Sequence, residues 1–106
     1  MSVRNLNTTS GGRSFSEQQK LAVWNKAKII PGKNSREWRS DTCGAWMSWS
    51  KFGETVEKGF GWEIDHILPV SRGGTDDLSN LQALQWQNNR KKADNVQWNC
   101  AIVGPR

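Results

Sequence analysis

The sequence is short of the side chains that most often serve as soft metal ligands: it holds one histidine and two cysteines. Cys43 and Cys100 form no C-x-x-C pair, which excludes a dense cysteine framework. Their spacing does not force a disulfide, and reduced thiols in a cytoplasmic protein are the plainer expectation. No apolar run is long enough to cross a bilayer as a helix, so no membrane partner is expected. The opening segment, MSVRNLNTTSGGRS, lacks the apolar stretch of a secretory signal. Only 35% of the residues are hydrophobic and the mean hydropathy is −0.77, which leaves room for one modest core and no second domain. Tyrosine is absent while tryptophan occurs 7 times, so a few large aromatics carry much of the burial. Trp24, Trp46, Trp62 and Trp86 are expected in the core. An exposed tryptophan would instead offer a stacking platform for a nucleobase.

What the chain does have is positive charge. Its 15 Lys and Arg against 10 Asp and Glu give a formal charge of +5 and a pI near 9.6. That balance favours an anionic partner, of which nucleic acid is the usual one.

Residues 1–13 are polar and rich in Asn, Thr, Ser and Gly, and read as a mobile tail ahead of a single domain over 14–106. A helix is signalled by SFSEQQKLAVWNKAKII, where Ser14 or Ser16 can cap with Glu17 or Gln19 three residues on. Leu21, Trp24 and Lys28 follow helical spacing, as do Ala22, Asn25 and Ile29, and PGKN at 31–34 ends the element. Between Arg36 and Phe52, Ala45, Met47 and Trp49 alternate with Trp46, Ser48 and Ser50. This permits a strand, with a short helix after Cys43-Gly44 as the alternative. WEIDHILPV reads as a strand limited by Pro69, SRGGTDD as a turn or loop, LSNLQAL as a second strand and QWQNNRKKAD as a helix.

Strand, loop, strand and helix in that order bring three chemical groups into play. Along a strand Glu63 and Asp65 project to one face and His66 to the other. Asn89 lies on the helix that follows. If that helix packs across the strand pair, a carboxylate and an amide oxygen can converge on one hard cation, Mg²⁺ or Mn²⁺. The imidazole would then stand across a bound phosphate, suited to take a proton from an attacking water. Adjacent helical residues point about 100° apart, so only one of Asn88 and Asn89 can face such a cation.

These residues carry a resemblance. WEIDHILPVSRGGTDDLSNLQALQWQNNRKKAD resembles the HNH endonuclease motif, also called the ββα-metal finger. It has the Asp-His-Ile run, the nearby proline, the Gly-Gly loop, the Asn-Leu-Gln strand and a helix ending in a basic tail. The segment AVWNKAKIIPGKNSREWRSDTCGAW is more loosely similar to the leader of small stand-alone members. The resemblance implies an α+β fold with a ββα core over about 62–94, plus an N-terminal helix and extra strand and loop elements. It implies that His66 is the general base and that Asp65 and Asn89 hold one divalent metal, Mg²⁺ in first place and Mn²⁺ or another transition metal after it. Asn80 would bond backbone across the loop and hold the strand that carries His66.

Lys92 matches the basic position expected to touch phosphate, with Arg90, Lys91 and Arg72 as further contacts to DNA. Relatives that hold a structural zinc do so through cysteine pairs. Here Gln85 and Asn88 stand at the helix positions concerned, so no zinc is expected and tryptophan packing should supply the lost stabilisation. Asn89 in place of histidine makes the chain an H-N-N variant. The implied activity is hydrolysis of DNA phosphodiester bonds, by nicking or double-strand cleavage, with double-stranded DNA bound at low sequence specificity as the expected partner. Alternatives are a DNA-binding module of the same fold without turnover and the nuclease part of a bacterial toxin. A homodimer, or a partner within a phage, restriction or toxin system, is consistent with either.

Overall fold

Ser16 and Gln19 fix where the first helix starts. Ser16 Oγ accepts the Gln19 amide at 3.0 Å, and the Gln19 side chain accepts the Ser16 amide at 2.9 Å. Two N–H groups of the first turn are thereby satisfied reciprocally. In the computed structural model, which describes residues 6–105, this helix, α1, spans Glu17–Trp24. It ends earlier than the spacing of Lys28 and Ile29 suggests, because those two residues form a short strand, β1, Lys28–Ile29. Strand β2, Trp38–Ser40, pairs antiparallel with β1 on one side and with β3, Trp46–Ser48, on the other. The alternation around Met47 is therefore a strand, and it closes in a 3-10 turn at Trp49–Lys51.

A second antiparallel pair holds the residues of chemical interest. Strand β4, Trp62–His66, runs against β5, Leu81–Gln85, with Trp62 opposite Gln85 and His66 opposite Leu81. Helix α2, Trp86–Lys92, follows β5 without a linker. Lys26 reaches from beyond α1 to the carbonyls of Leu78 and Leu81, pinning the turn that feeds β5. The described residues thus form an α+β fold of two helices and two small antiparallel sheets. None of these helices is long and apolar enough to cross a membrane.

The core sits between α1 and the two sheets. Trp24, Trp49, Trp62 and Phe52 meet ring to ring, with Trp24–Trp62 at 4.9 Å and Phe52–Trp62 at 4.8 Å. Val23, Met47, Ile64 and Leu81 fill the space around them. Trp24 and Trp62 are buried as expected, but Trp46 and Trp86 are only half-buried. Trp46 joins Trp38 in a smaller cluster that also takes in Phe60, and Trp86 lies over a loop, donating its indole N–H to the Val56 carbonyl.

Three expectations are corrected. Residues 6–13, read as tail, are docked. Asn7 Oδ1 accepts the Ile64 amide at 2.7 Å, Thr8 pairs with Ser14, and Ser10 reaches Asp76. A polar stretch can be held by hydrogen bonds alone, which composition does not reveal. Residues 1–5 of the same reading lie outside the described residues. Second, Cys43 and Cys100 are joined as a disulfide rather than reduced, with their Cα atoms 5.9 Å apart.

Third, tryptophans are not what secures the helix positions 85 and 88. The buried Asp41 carboxylate accepts the amides of Cys43, Ala45 and Gln85 and the Asn88 side chain. Asn88 in turn accepts the amides of Ala101 and Ile102, each at 2.8 Å. Burial outweighs those hydrogen bonds and leaves the Asp41 carboxyl above its usual range. The polar cluster binds the C-terminal segment to α2, and the disulfide ties it to the turn between β2 and β3. Closing a loop with a sequence separation of 57 should contribute about 4 kcal/mol by restricting the unfolded chain. Urea unfolding with and without reductant, and of a Cys43→Ser/Cys100→Ser variant, should show a loss approaching that size, and the native protein should be unreactive in a thiol titration.

Candidate active site

Strand alternation places Glu63 and Asp65 under α2 and turns His66 the other way. Both carboxylates are buried, and the helix answers each of them. Glu63 accepts Asn89 Nδ2 at 2.8 Å and a forked contact from Arg90, Nε at 3.3 Å and Nη2 at 3.0 Å. That contact also holds the Arg90 guanidinium above its ordinary range, through the Glu63 hydrogen bond first. Asp65 Oδ1 pairs with Lys92 Nζ at 3.2 Å, and Asp65 Oδ2 accepts Gln82 Nε2 at 2.9 Å. Lys92 also donates to the His66 carbonyl at 2.9 Å, tying the last residue of β4 to the helix.

Across the strand, His66 Nε2 lies 2.7 Å from Asp76 Oδ1. The Phe15 ring stands beside the imidazole, centroids 6.1 Å apart. Asp76 also accepts the Ser10 amide at 2.9 Å and the Ser10 hydroxyl at 2.8 Å. Burial alone would raise the Asp76 carboxyl, but the bonds from His66 and Ser10 outweigh it and hold it below the usual range.

The loop between β4 and β5 is organised by Asn80. Its Oδ1 accepts the Leu68 amide at 2.8 Å, and its Nδ2 donates to the carbonyls of Leu68 and Thr75 at 3.1 and 2.8 Å. Gly74 lets these strands of the loop approach. A Cβ there would fall 1.7 Å from the Leu68 carbonyl oxygen, a clash no side chain can relieve. Gly73, at φ 93°, supplies the left-handed turn that ends a 3-10 segment at Val70–Arg72.

The sequence model of the family described as HNH endonuclease matches residues 51–95, the segment that carries β4, the Asn80 loop, β5 and α2. Residues 51–95 therefore carry the signature of an HNH endonuclease domain. Such a domain points to nuclease or DNA-binding function, with DNA as the substrate of the family and a divalent metal in typical use. No curated protein and no solved structure matches the chain significantly.

The predicted site residues of this HNH domain fall into two groups. Along the β4–α2 seam Asn89 is bonded to Glu63 and Asp65 to Lys92, and His66 and Asn80 sit on the loop side of it. Lys92 is corrected. It is 1% exposed and spends its charge on Asp65, so it cannot reach the backbone of DNA as a surface cation. Arg90 is partly exposed but committed to Glu63, whereas Lys91 and Arg72 face outward, Arg72 with its Nε on the Asp94 carbonyl.

Among the described residues no cluster of three or more His, Cys, Asp and Glu is arranged to hold a metal. The donor types at Asp65 and Asn89, carboxylate and amide oxygen, are those a hard divalent ion takes together with several waters. Asp65 brings a carboxylate, and Glu63 engages the nitrogen end of the Asn89 amide, which leaves the oxygen as the end turned from Glu63. Sequence reasoning missed Asp76, Ser10 and Gln82 as neighbours of the site. Asp76 and Asp77 stand side by side in a loop, and no local pattern tells which one folds back onto His66. Lys92→Ala would leave Asp65 buried without its cation and should cost about 3–5 kcal/mol in urea unfolding, whereas Lys91→Ala should stay within about 0.5 kcal/mol of the native protein.

Proposed function

We propose that this chain is a metal-dependent endonuclease that hydrolyses phosphodiester bonds of double-stranded DNA, with His66 as the general base. The observation that supports this best is the position of His66 at the end of β4. It lies next to the Asp65 of the β4–α2 seam and has one ring nitrogen fixed by a carboxylate. Asp65 and Asn89 are the residues that would hold the metal, with Mg²⁺ the best match to two oxygen donors. Such an ion, when bound, supplies positive charge against the phosphate and the departing oxygen.

The protein's own part is to place and deprotonate water. His66 accepts a proton from the attacking water, the water oxygen forms a bond to phosphorus as the bond to the sugar oxygen breaks, and solvent protonates the leaving alkoxide. Asn80 keeps the loop beneath His66 from shifting by bonding both of its arms. Lys91 and Arg72, exposed near the ends of α2 and the loop, offer phosphate contacts that carry little sequence information.

A second reading, a DNA-binding module without turnover, has one observation in its favour. The Asp65 carboxylate is already paired with the ammonium of Lys92 and the amide of Gln82. The two readings separate on supercoiled plasmid in Mg²⁺ or Mn²⁺. Turnover should appear in the wild type, vanish with EDTA, and fall at least about 100-fold in His66→Ala. Cleavage that survives that substitution would remove His66 from the mechanism, and shifted mobility without nicking in any divalent ion would favour the binding module. Lys91→Ala should weaken binding to all sequences alike and lower the slope of affinity against salt by about 1.

A further inference from the structure

The partners of His66 do not all come from the segment that matches the HNH family. Asp76, from the glycine loop, holds Nε2, and Ser10, from far upstream, holds Asp76 with both its amide and its hydroxyl. Ser10 is itself placed by a short strap. Thr8 pairs with Ser14, the Thr9 amide donates to the Arg13 carbonyl at 2.8 Å, and Asn7 anchors one end on the Ile64 amide of β4. Phe15, at the other end of the strap, is buried and flanks the imidazole. The imidazole is therefore held at one nitrogen by Asp76, with Ser10 behind it, and flanked by Phe15, with only 11% of the side chain exposed.

We infer that Asp76, clamped by Ser10, is a positioning residue that selects the Nε2–H tautomer of His66 and thereby presents Nδ1 as the nitrogen that accepts a proton. A carboxylate only accepts hydrogen bonds, so a neutral ring beside it must donate from Nε2, and the lone pair must then be on Nδ1. The catalytic consequence rests on the nuclease reading above, whereas the tautomer does not.

The single histidine makes the test clean, because every imidazole signal belongs to His66. The full chain, ¹⁵N-labelled, without metal and at alkaline pH where an imidazole is neutral, should show in long-range ¹H–¹⁵N spectra one protonated Nε2 and one unprotonated Nδ1. Asp76→Ala should collapse that pattern towards a mixture of both tautomers. Asp76→Asn, whose amide oxygen can still accept, should preserve it, and Ser10→Ala should move it part of the way. The backbone amide spectrum of each variant reports whether it is folded, and Asp76→Asn and Ser10→Ala carry the test if Asp76→Ala is not.

An Nδ1–H tautomer in the wild type, or a pattern indifferent to Asp76, would overturn the inference. On DNA the expected change is a fall in kcat of about 10- to 100-fold for Asp76→Ala with KM within about twofold. A fall confined to KM would assign Asp76 to binding instead. If no variant, wild type included, cleaves DNA, the spectra still decide the tautomer, so failure of the nuclease reading is distinguishable from failure of this one.

Discussion

Two carboxylates taken out of water on one face of a five-residue strand set the terms for the rest of the molecule. Glu63 and Asp65 are each nearly fully buried, and a buried charge is tolerated only when paired and hydrogen-bonded. Helix α2 meets that demand with Asn89 and Arg90 on one carboxylate and Lys92 on the other. The helix is consequently held in one rotation and one axial position over β4. It is this register, rather than apolar packing, that brings Asn89 onto Glu63 and Lys92 onto Asp65, since the residues α2 buries are Asn88, Asn89 and Lys92. Ion pairs of this kind add little net stability but penalise misplacement steeply, which suits a site whose donors come from separate elements.

What could be read in advance was whatever depends on near neighbours. The Ser16–Gln19 cap, the strands around Met47 and Ile64 and the helix after Gln85 all announce themselves within a few residues, and the Asp-His-Ile to Asn-Leu-Gln run gives their order. What could not be read depends on long separations. Lys92 looks like one more cation in a basic run, and only its place in the third dimension turns it inward onto Asp65. The Ser10–Asp76 contact spans 66 residues and joins two stretches that each look like ordinary polar loop. Cys43 and Cys100 carry no spacing signature, and their bond follows from Asp41 and Asn88 drawing the same two segments together.

The two layers of support around the HNH unit differ in kind. On the loop side, hydrogen bonds from Asn80, Ser10 and Asp76 fix direction more than they add stability, since each is short-range and angular. The Asp41–Asn88 cluster and the disulfide, by contrast, anchor the C-terminal segment. The first can be perturbed with modest effect on folding, and the second cannot.

The Cys43–Cys100 bond also encloses β4, the glycine loop, β5 and α2 within one covalent ring. Tension applied to the two termini of the oxidised chain would pass through the sulfur atoms and bypass everything inside. Only the residues before Cys43 and after Cys100 could be drawn out, so a molecule held at its ends would reach its full extension some 57 residues short of its reduced form.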